Sequence, residues 1–326
     1  MAINASPRFI RKTIVLAAIE TTYGVAPAQV AANALLMSNV EMSYTSNNKN
    51  REVIRPYLGA SEMLVGDDYI TFTFTIEMAP SGIAGTAPQW GKLLRACGMA
   101  EVITATSRVE YVPVSTGQES IAISYYIDGM RYLSNGLRGT FEIVLAIGDT
   151  PKLKFTFTGR YFGAANDVAN ANGNYSAWKV PQVITNANTG DIKFGSAYSS
   201  GSVTGGEPYA SRGLNFSLGN GVSYQSMLGA TSADRVLITS REPTGSITLD
   251  LDAATEELFR ADMRLNVTSS MSFEFGTVAG SKIVIFAPSV QRLNPKIEDQ
   301  DGVAMTAMDL RFLPVSGNDE LRIICK

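Results

Sequence analysis

Three short acidic stretches, GDD at Gly66 to Asp68, IEDQDG at Ile297 to Gly302 and NDE at Asn318 to Glu320, group the side chains best able to do acid–base or metal chemistry. Asp299 and Asp301 followed by Gly302 resemble part of a calcium-binding loop, but the ordered series of oxygen ligands and the closing glutamate are missing. Two carboxylates that converge on a cleft could also hydrolyse a glycoside, yet nothing in the linear order brings these three together. Read as solvated turn residues, they require no chemistry. The chain has no histidine, which removes the commonest general base and the usual transition-metal ligand. Cys97 and Cys325 are far apart and form no CxxC pair, so two reduced, buried thiols are expected. No GxxxxGK[ST] or GxGxxG phosphate loop and no GxSxG elbow occurs. Catalytic residues, metal ligands and a cofactor are therefore not expected.

What remains is the scaffold. The chain has 326 residues, 45% of them hydrophobic and 17% charged, enough for two globular domains. A net charge of −3 advertises no basic stripe for tight phosphate binding. Arg8, Arg11 and Lys12 precede a short apolar run as in a secretory signal, but the run ends at Glu20 and reads as a strand or extended arm. No apolar run approaches the roughly 20 residues of a membrane span.

Alternation of apolar and polar residues dominates. In YITFTFTIEM, Ile70, Phe72, Phe74, Ile76 and Met78 share one strand face while Thr71, Thr73, Thr75 and Glu77 share the other. KLKFTFTGRY places Thr156 and Thr158 on such a polar face with Lys154 and Arg160, and GSITLDLD does so with Ser246, Thr248, Asp250 and Asp252. SIAISYYIDG, GTFEIVLAI, SMSFEFG, SKIVIFA and AMTAMDLRFLP are further strands bounded by turn residues. Tyr125 and Tyr126 lack adjacent cations and read as cross-strand packing rather than a stacking platform. Only PQWGKLLRACGM and DAATEELFRADMRL carry helical spacing.

The elements recur in one order. Leu58-Gly59-Ala60 matches Leu228-Gly229-Ala230, and Leu93-Leu94-Arg95-Ala96 matches Leu258-Phe259-Arg260-Ala261, with a polar-faced strand between each pair. Beyond the helices, IAISYYIDG corresponds to SMSFEFGTV, the segment around Arg138 to that around Arg292, and KLKFTFTG to AMDLRFLP. The organisation expected is an N-terminal arm over 1–37, a first β domain over 38–162, a Gly/Asn/Ser-rich linker or crossover over 163–211 and a second β domain over 212–326.

RKTIVLAAIETTYG, REVIRPYLGASEMLVG, GIAGTAPQWGKLLRACGMAE, LRGTFEIVLAIGDTPKLKFTFTGRY, REPTGSITLD and QDGVAMTAMDLRFLPVSGNDELRI together resemble major tail tube proteins of tailed bacteriophages, of the long, duplicated kind. The resemblance implies a mainly β fold: two tandem β-sandwich domains with short helices, whose strands form a shared inner β-barrel on ring assembly. It implies a non-enzymatic virion subunit, assembled in the host cytoplasm. Three chains make a pseudo-sixfold ring, and the rings stack into a conduit for double-stranded DNA, which passes without specific binding. The partners it implies are the chain itself, a tape measure protein, a tail terminator and distal tail proteins, with no membrane. It leans toward a non-contractile tail. On this reading Thr71, Thr73, Thr75, Glu77, Thr156, Thr158, Ser246, Thr248, Asp250 and Asp252 line the channel. The segments Ala2 to Ala34, Ser46 to Gly66 and Gly219 to Ser240 would make contacts between rings. The competing classes are a surface β-sandwich binding module of pilin or adhesin type, which the basic N-terminus favours, and a carboxylate-dependent glycan hydrolase.

Overall fold

A computed structural model describes residues 7–166, 172–229 and 234–326. The strands among them are β1 (Thr13–Ile19), β2 (Ser38–Ser46), the two-residue pair β3 (Lys49–Asn50) and β4 (Met63–Leu64), β5 (Asp68–Glu77), β6 (Met99–Thr104), β7 (Arg108–Pro113), β8 (Ile121–Ile127), β9 (Met130–Ala146) and β10 (Lys152–Asn166). They continue with β11 (Ile192–Ser199), β12 (Ser202–Tyr209), β13 (Ser211–Ser217), β14 (Asn220–Gln225), β15 (Arg235–Arg241), β16 (Thr244–Leu249), β17 (Thr268–Phe275), β18 (Ile283–Gln300), β19 (Val303–Phe312) and β20 (Arg322–Cys325). Helix α1 (Gly91–Ala96) is shorter than its pattern suggests, whereas α2 (Ala253–Arg264) fills the expected stretch.

Strand order repeats. Four strands of the first half run β9-β10-β5-β2, and four of the second run β18-β19-β16-β13. β13 then pairs antiparallel with the end of β9, from Gly213 opposite Ala146 to Ser217 opposite Glu142, which fuses both quartets into one eight-strand run. β9 and β18 are long enough to serve two layers: their first halves pair with β8 and β17, their later residues lie in the eight-strand run. The layers meet through apolar faces, as where the Phe72 ring of β5 lies edge-on to Tyr125 of β8 at 5.9 Å.

Alternation decides which side is buried. Ile70, Phe72, Phe74 and Ile76 of β5 and Leu153, Phe155 and Phe157 of β10 are each at most 1% exposed. An aromatic row, Phe74, Phe155, Phe141, Phe216 and Phe312, runs beneath six strands, five of which supply a ring, with neighbouring centroids 4.8 to 6.3 Å apart. It crosses the β9–β13 junction, so the two halves share one core.

The run read as a strand or extended arm near the N-terminus is a strand, and the stretch expected to be a linker carries more structure than its composition suggests. Residues 13–19, within the expected N-terminal arm, form β1 and pair with β8 along their whole length. The charged end of that run, Glu20, is buried and accepts hydrogen bonds from the Gly24 and Gly136 amides and the Ser120 hydroxyl at 2.6 to 2.7 Å. In the stretch expected to be a linker, β10 continues to Asn166, and β11 and β12 form a hairpin that pairs with β17. β11 thus stands to β17 as β1 stands to β8. Of the segments expected to make contacts between rings, Ala2 to Ser6 and residues 230–233 lie outside the described residues, as does Ala230 of the repeat match.

A second stitch joins the halves in the other layer. The hairpin β6–β7 has no counterpart after α2, and β20 bridges it to β18. Glu110 of β7 is 5% exposed there and accepts from Arg108 and from Arg322 of β20, whose guanidinium lies 4.6 Å from the centre of the Tyr198 ring. Burial acts to raise the Glu110 carboxyl, but hydrogen bonds from Arg108, Tyr198 and Arg322 outweigh it and hold the group below its usual range.

Glu110→Ala leaves two arginines without their carboxylate and is expected to destabilise the chain by about 3 kcal/mol in chemical denaturation. Because the folded state binds this proton more weakly than the unfolded chain, the Glu110 contribution is complete above the usual carboxylate pKa and is lost as pH falls through the depressed one. Glu110→Gln should therefore flatten the acid limb of the stability curve. Lys92 of α1 gives the opposite slope. Burial pulls its ammonium down to about 8, with the Asn33 carbonyl 3.3 Å away as a hydrogen-bond partner. Between that value and the roughly 10.4 of an unfolded lysine, the unfolded chain binds more protons, so stability rises with pH. Lys92→Met should abolish that rise.

Candidate functional site

The face of the eight-strand run opposite the aromatic row is polar, and strand register assigns its rows. Thr73 lies between Glu41 of β2 and Thr156 of β10, and Thr156 faces Thr140 of β9. Thr71 lies between Ser43 and Thr158. One row crosses the junction between the halves: Thr75, Lys154, Glu142, Ser217, Thr244, Arg311 and Gln291. The next joins Val144, Asn215, Ser246 and Asp309. Nearly all the expected polar-face residues thus fall on one continuous surface.

Exposure divides them. Thr73, Glu77, Thr156 and Ser246 are exposed, Thr71, Thr158 and Thr248 half-buried, and Thr75 only 8% exposed although its register puts it in the same rows. Asp250 is exposed just beyond the end of β16. Asp252 is not a sheet residue: it is the N-cap of α2, its carboxylate accepting from the Thr255 amide at 2.7 Å. Hydrogen bonding from Thr255 holds that carboxyl low. Its order in GSITLDLD continues the alternation, but the chain has already turned into the helix.

Residues absent from the expected set complete the face: Glu41, Ser43, Thr140, Glu142, Asn215, Ser217, Thr244, Asp309 and Arg311. The alternation in GTFEIVLAI and AMDLRFLP carries Thr140, Glu142, Asp309 and Arg311 openly. β13 hides its own, being short and interrupted by Gly213, whose Cβ would stand 2.8 Å from the Leu145 carbonyl. The face is also less acidic than Thr, Ser, Asp and Glu alone would make it, since Lys154 and Arg311 are exposed on it. Each has an acid close by: Glu142 is the register neighbour of Lys154, and Glu242 lies 3.8 Å from Arg311. Lys152 is tied to Asp149 in the β9–β10 turn at 2.5 Å.

Arg138 and Arg292 are not equivalent, because strand parity separates them. Arg138 pairs with Thr158, and its guanidinium donates to the carbonyls of Gln118, Glu119 and Val236. Arg292 pairs with buried Leu310 and lies 4.2 Å from the Phe259 ring centre, bonded to Asp262.

The acidic stretches do not converge. Asp67 accepts from Ser226, Asp68 from Tyr44, Asp299 from the Gly302 amide and Asp319 from the amides of Val315 and Ser316. Glu320 is buried against Arg241. Asp299 and Asp319 are occupied in their own turns, and Asp67, Asp68 and Glu320 by partners from other elements. Among the described residues no group of three or more potential metal-ligating acids or cysteines forms, and no helix is long and apolar enough to cross a membrane.

The two sides of β5 predict opposite outcomes for one substitution. Thr73→Lys should change the melting temperature little, since the side chain is exposed and leaves the core untouched. Phe72→Lys places an unpaired charge at a site 1% exposed and should cost about 4 kcal/mol or more, abolishing soluble yield.

Residues 10–317 match the family described as phage tail tube protein. None of the curated proteins matches the chain. With a family match over nearly its whole length and a mainly β fold, the chain belongs to the phage tail tube proteins, structural subunits of the virion tail.

Proposed function

We propose that three copies of this chain close into a ring whose inner wall is one continuous β-barrel, and that stacked rings form the conduit for DNA. One observation carries this reading: the β9–β13 junction. There the last strand of one quartet takes up the first strand of the next within a single chain. The same two kinds of edge are left open at the ends of the run, on β2 and on the later half of β18. An edge that displays unpaired amides and carbonyls is a template for another strand, and closure into a ring satisfies every one of them.

Size agrees. Eight strands per chain give about 24 per ring; at about 4.8 Å each the circumference is roughly 115 Å and the diameter roughly 37 Å before tilt, which widens it. A DNA duplex passes through such an opening. The polar face then lines the channel, where hydroxyls, amides and cations interspersed with acids offer phosphates little net attraction. The subunit works by assembly, without catalysis. A tape measure protein would occupy the growing tube, with terminator and distal tail proteins at its ends.

The repeat unit on this reading begins at β1 in the first copy and at β11 in the second, since both strands pair with equivalent neighbours. Electron microscopy of the assembled protein tests the proposal directly: rings of three chains with six similar lobes are expected, and rings of six whole chains would overturn it. In assembled particles, the paired changes Thr73→Lys and Thr248→Lys should leave tubes intact but slow DNA release, most strongly at low salt. Unchanged release would remove these residues from the channel wall.

A further inference from the structure

Each quartet sends out an arm at the same point of its topology: residues 47–67, carrying β3 and β4, between β2 and β5, and residues 218–243, carrying β14 and β15, between β13 and β16. Both arms are closed at the base by one backbone hydrogen bond, Asn47 to Asp67 in the first and Glu242 to Gly219 in the second. Their surroundings differ.

The second arm lies folded over the first copy. Asn220 donates to the carbonyls of Cys97, at the end of α1, and Gly139 of β9, at 2.7 and 2.9 Å. Tyr224 stacks on Tyr69 at 5.5 Å, Val236 is fully buried, and Ile238 lies 3.3 Å from where Gly98 would carry a Cβ. Among the described residues the first arm has no such landing place in its own chain beyond its base, where Asp67 accepts from Ser226 of the second arm, because no copy lies beyond β2. It exposes Ile54, Leu58, Met63, Leu64 and Val65, each more than half accessible and two of them fully. That is an apolar surface, not the polar one expected of this segment. On the second copy, the end of α2 corresponds to the end of α1. Both helices are followed by a residue in left-handed conformation, Gly98 at φ 79° and Asn266 at φ 54°. Cys97 is buried there, whereas Leu265 is 75% exposed and Val267 40%.

We infer that the first arm docks across the seam onto the second copy of the adjacent chain in the same ring, covering Leu265 and Val267 at the end of its α2. The path repeats the one that the second arm already takes over the first copy. Counting from the arm bases, Asn48 takes the place of Asn220, and Met63 that of Ile238. The apolar surface of the arm and the exposed apolar end of α2 then bury each other. This rests on the ring proposed above and assigns the occupant of both surfaces to a second copy of this chain.

The test uses full-length chain carrying Met63→Cys and Leu265→Cys, both exposed sites, assembled and treated with a short bismaleimide; native Cys97 and Cys325 are buried. Docking within a trimeric ring gives covalent ladders that stop at three chains. A ladder stopping at six would keep the docking and overturn the trimer. Ladders running on beyond six would mean that the arm reaches the next ring, and products confined to one chain, or no products, would also overturn the inference. Leu265→Asp, in an exposed position, should leave monomer melting unchanged while raising the concentration needed for assembly by about tenfold. Assembly at the wild-type concentration would overturn the docking.

Discussion

The rest of the molecule depends on an unpaired sheet edge finding its complement. Between β9 and β13 that complement is supplied by the same chain, and the consequences spread in both directions from the seam. Beneath it the aromatic row passes without interruption from Phe141 to Phe216. Above it the polar rows pass from Glu142 to Ser217 and from Val144 to Asn215. Because side chains alternate strictly along a strand, a slip of one residue at this seam would turn Phe216 outward and Asn215 inward. Register, core continuity and the character of the polar face are therefore one constraint.

How far the sequence discloses this follows from how many faces each strand buries. β10 and β16 bury one side only, and β5 does so apart from Thr75, so Phe72, Phe155 and Ile247 alternate visibly with Thr73, Thr156 and Thr248. β1 is less plain: Val15, Leu16 and Ala17 are buried in succession, and a run buried on both faces has no period to read. β11 and β12 sit in a Gly- and Ser-rich stretch, and Gly195, Gly205 and Gly206 adopt positive φ within the hairpin, which composition reads as a loop. The recurring strand order has a counterpart in the order of the sequence elements, but Arg138 and Arg292 align in sequence while occupying opposite faces. Bulges on β9 and β18 shift parity, and a bulge leaves no mark in the residue types. The junction itself was not legible, since pairing between strands that are distant in sequence has no local signature.

The polar face has a chemistry of compensation rather than of simple acidity. Three of its cations stand beside carboxylates: exposed Lys154 next to Glu142, exposed Arg311 near Glu242, and half-buried Lys152 held by Asp149. Exposed pairs of this kind contribute little to stability and are weakened by salt. Their effect is on the local field, which they keep near neutral without dispensing with the hydration that charged groups hold. Threonine and serine fill the intervals, offering hydrogen bonds to water.

The stitch formed by β20 and the β6–β7 hairpin has a mechanical meaning. Within one chain the two copies are clamped in both layers, by β9–β13 on one and β7–β20 on the other, with Glu110 locked between arginines. The hairpin has no counterpart in the second copy, so in the ring proposed above a seam between chains would have one clamped layer and whatever the arms add. Stiff and compliant seams would then alternate around the circumference. A tube built from such rings would flex by opening three hinge lines while six lobes keep their shape, so that curvature is taken up between subunits and the bore stays round.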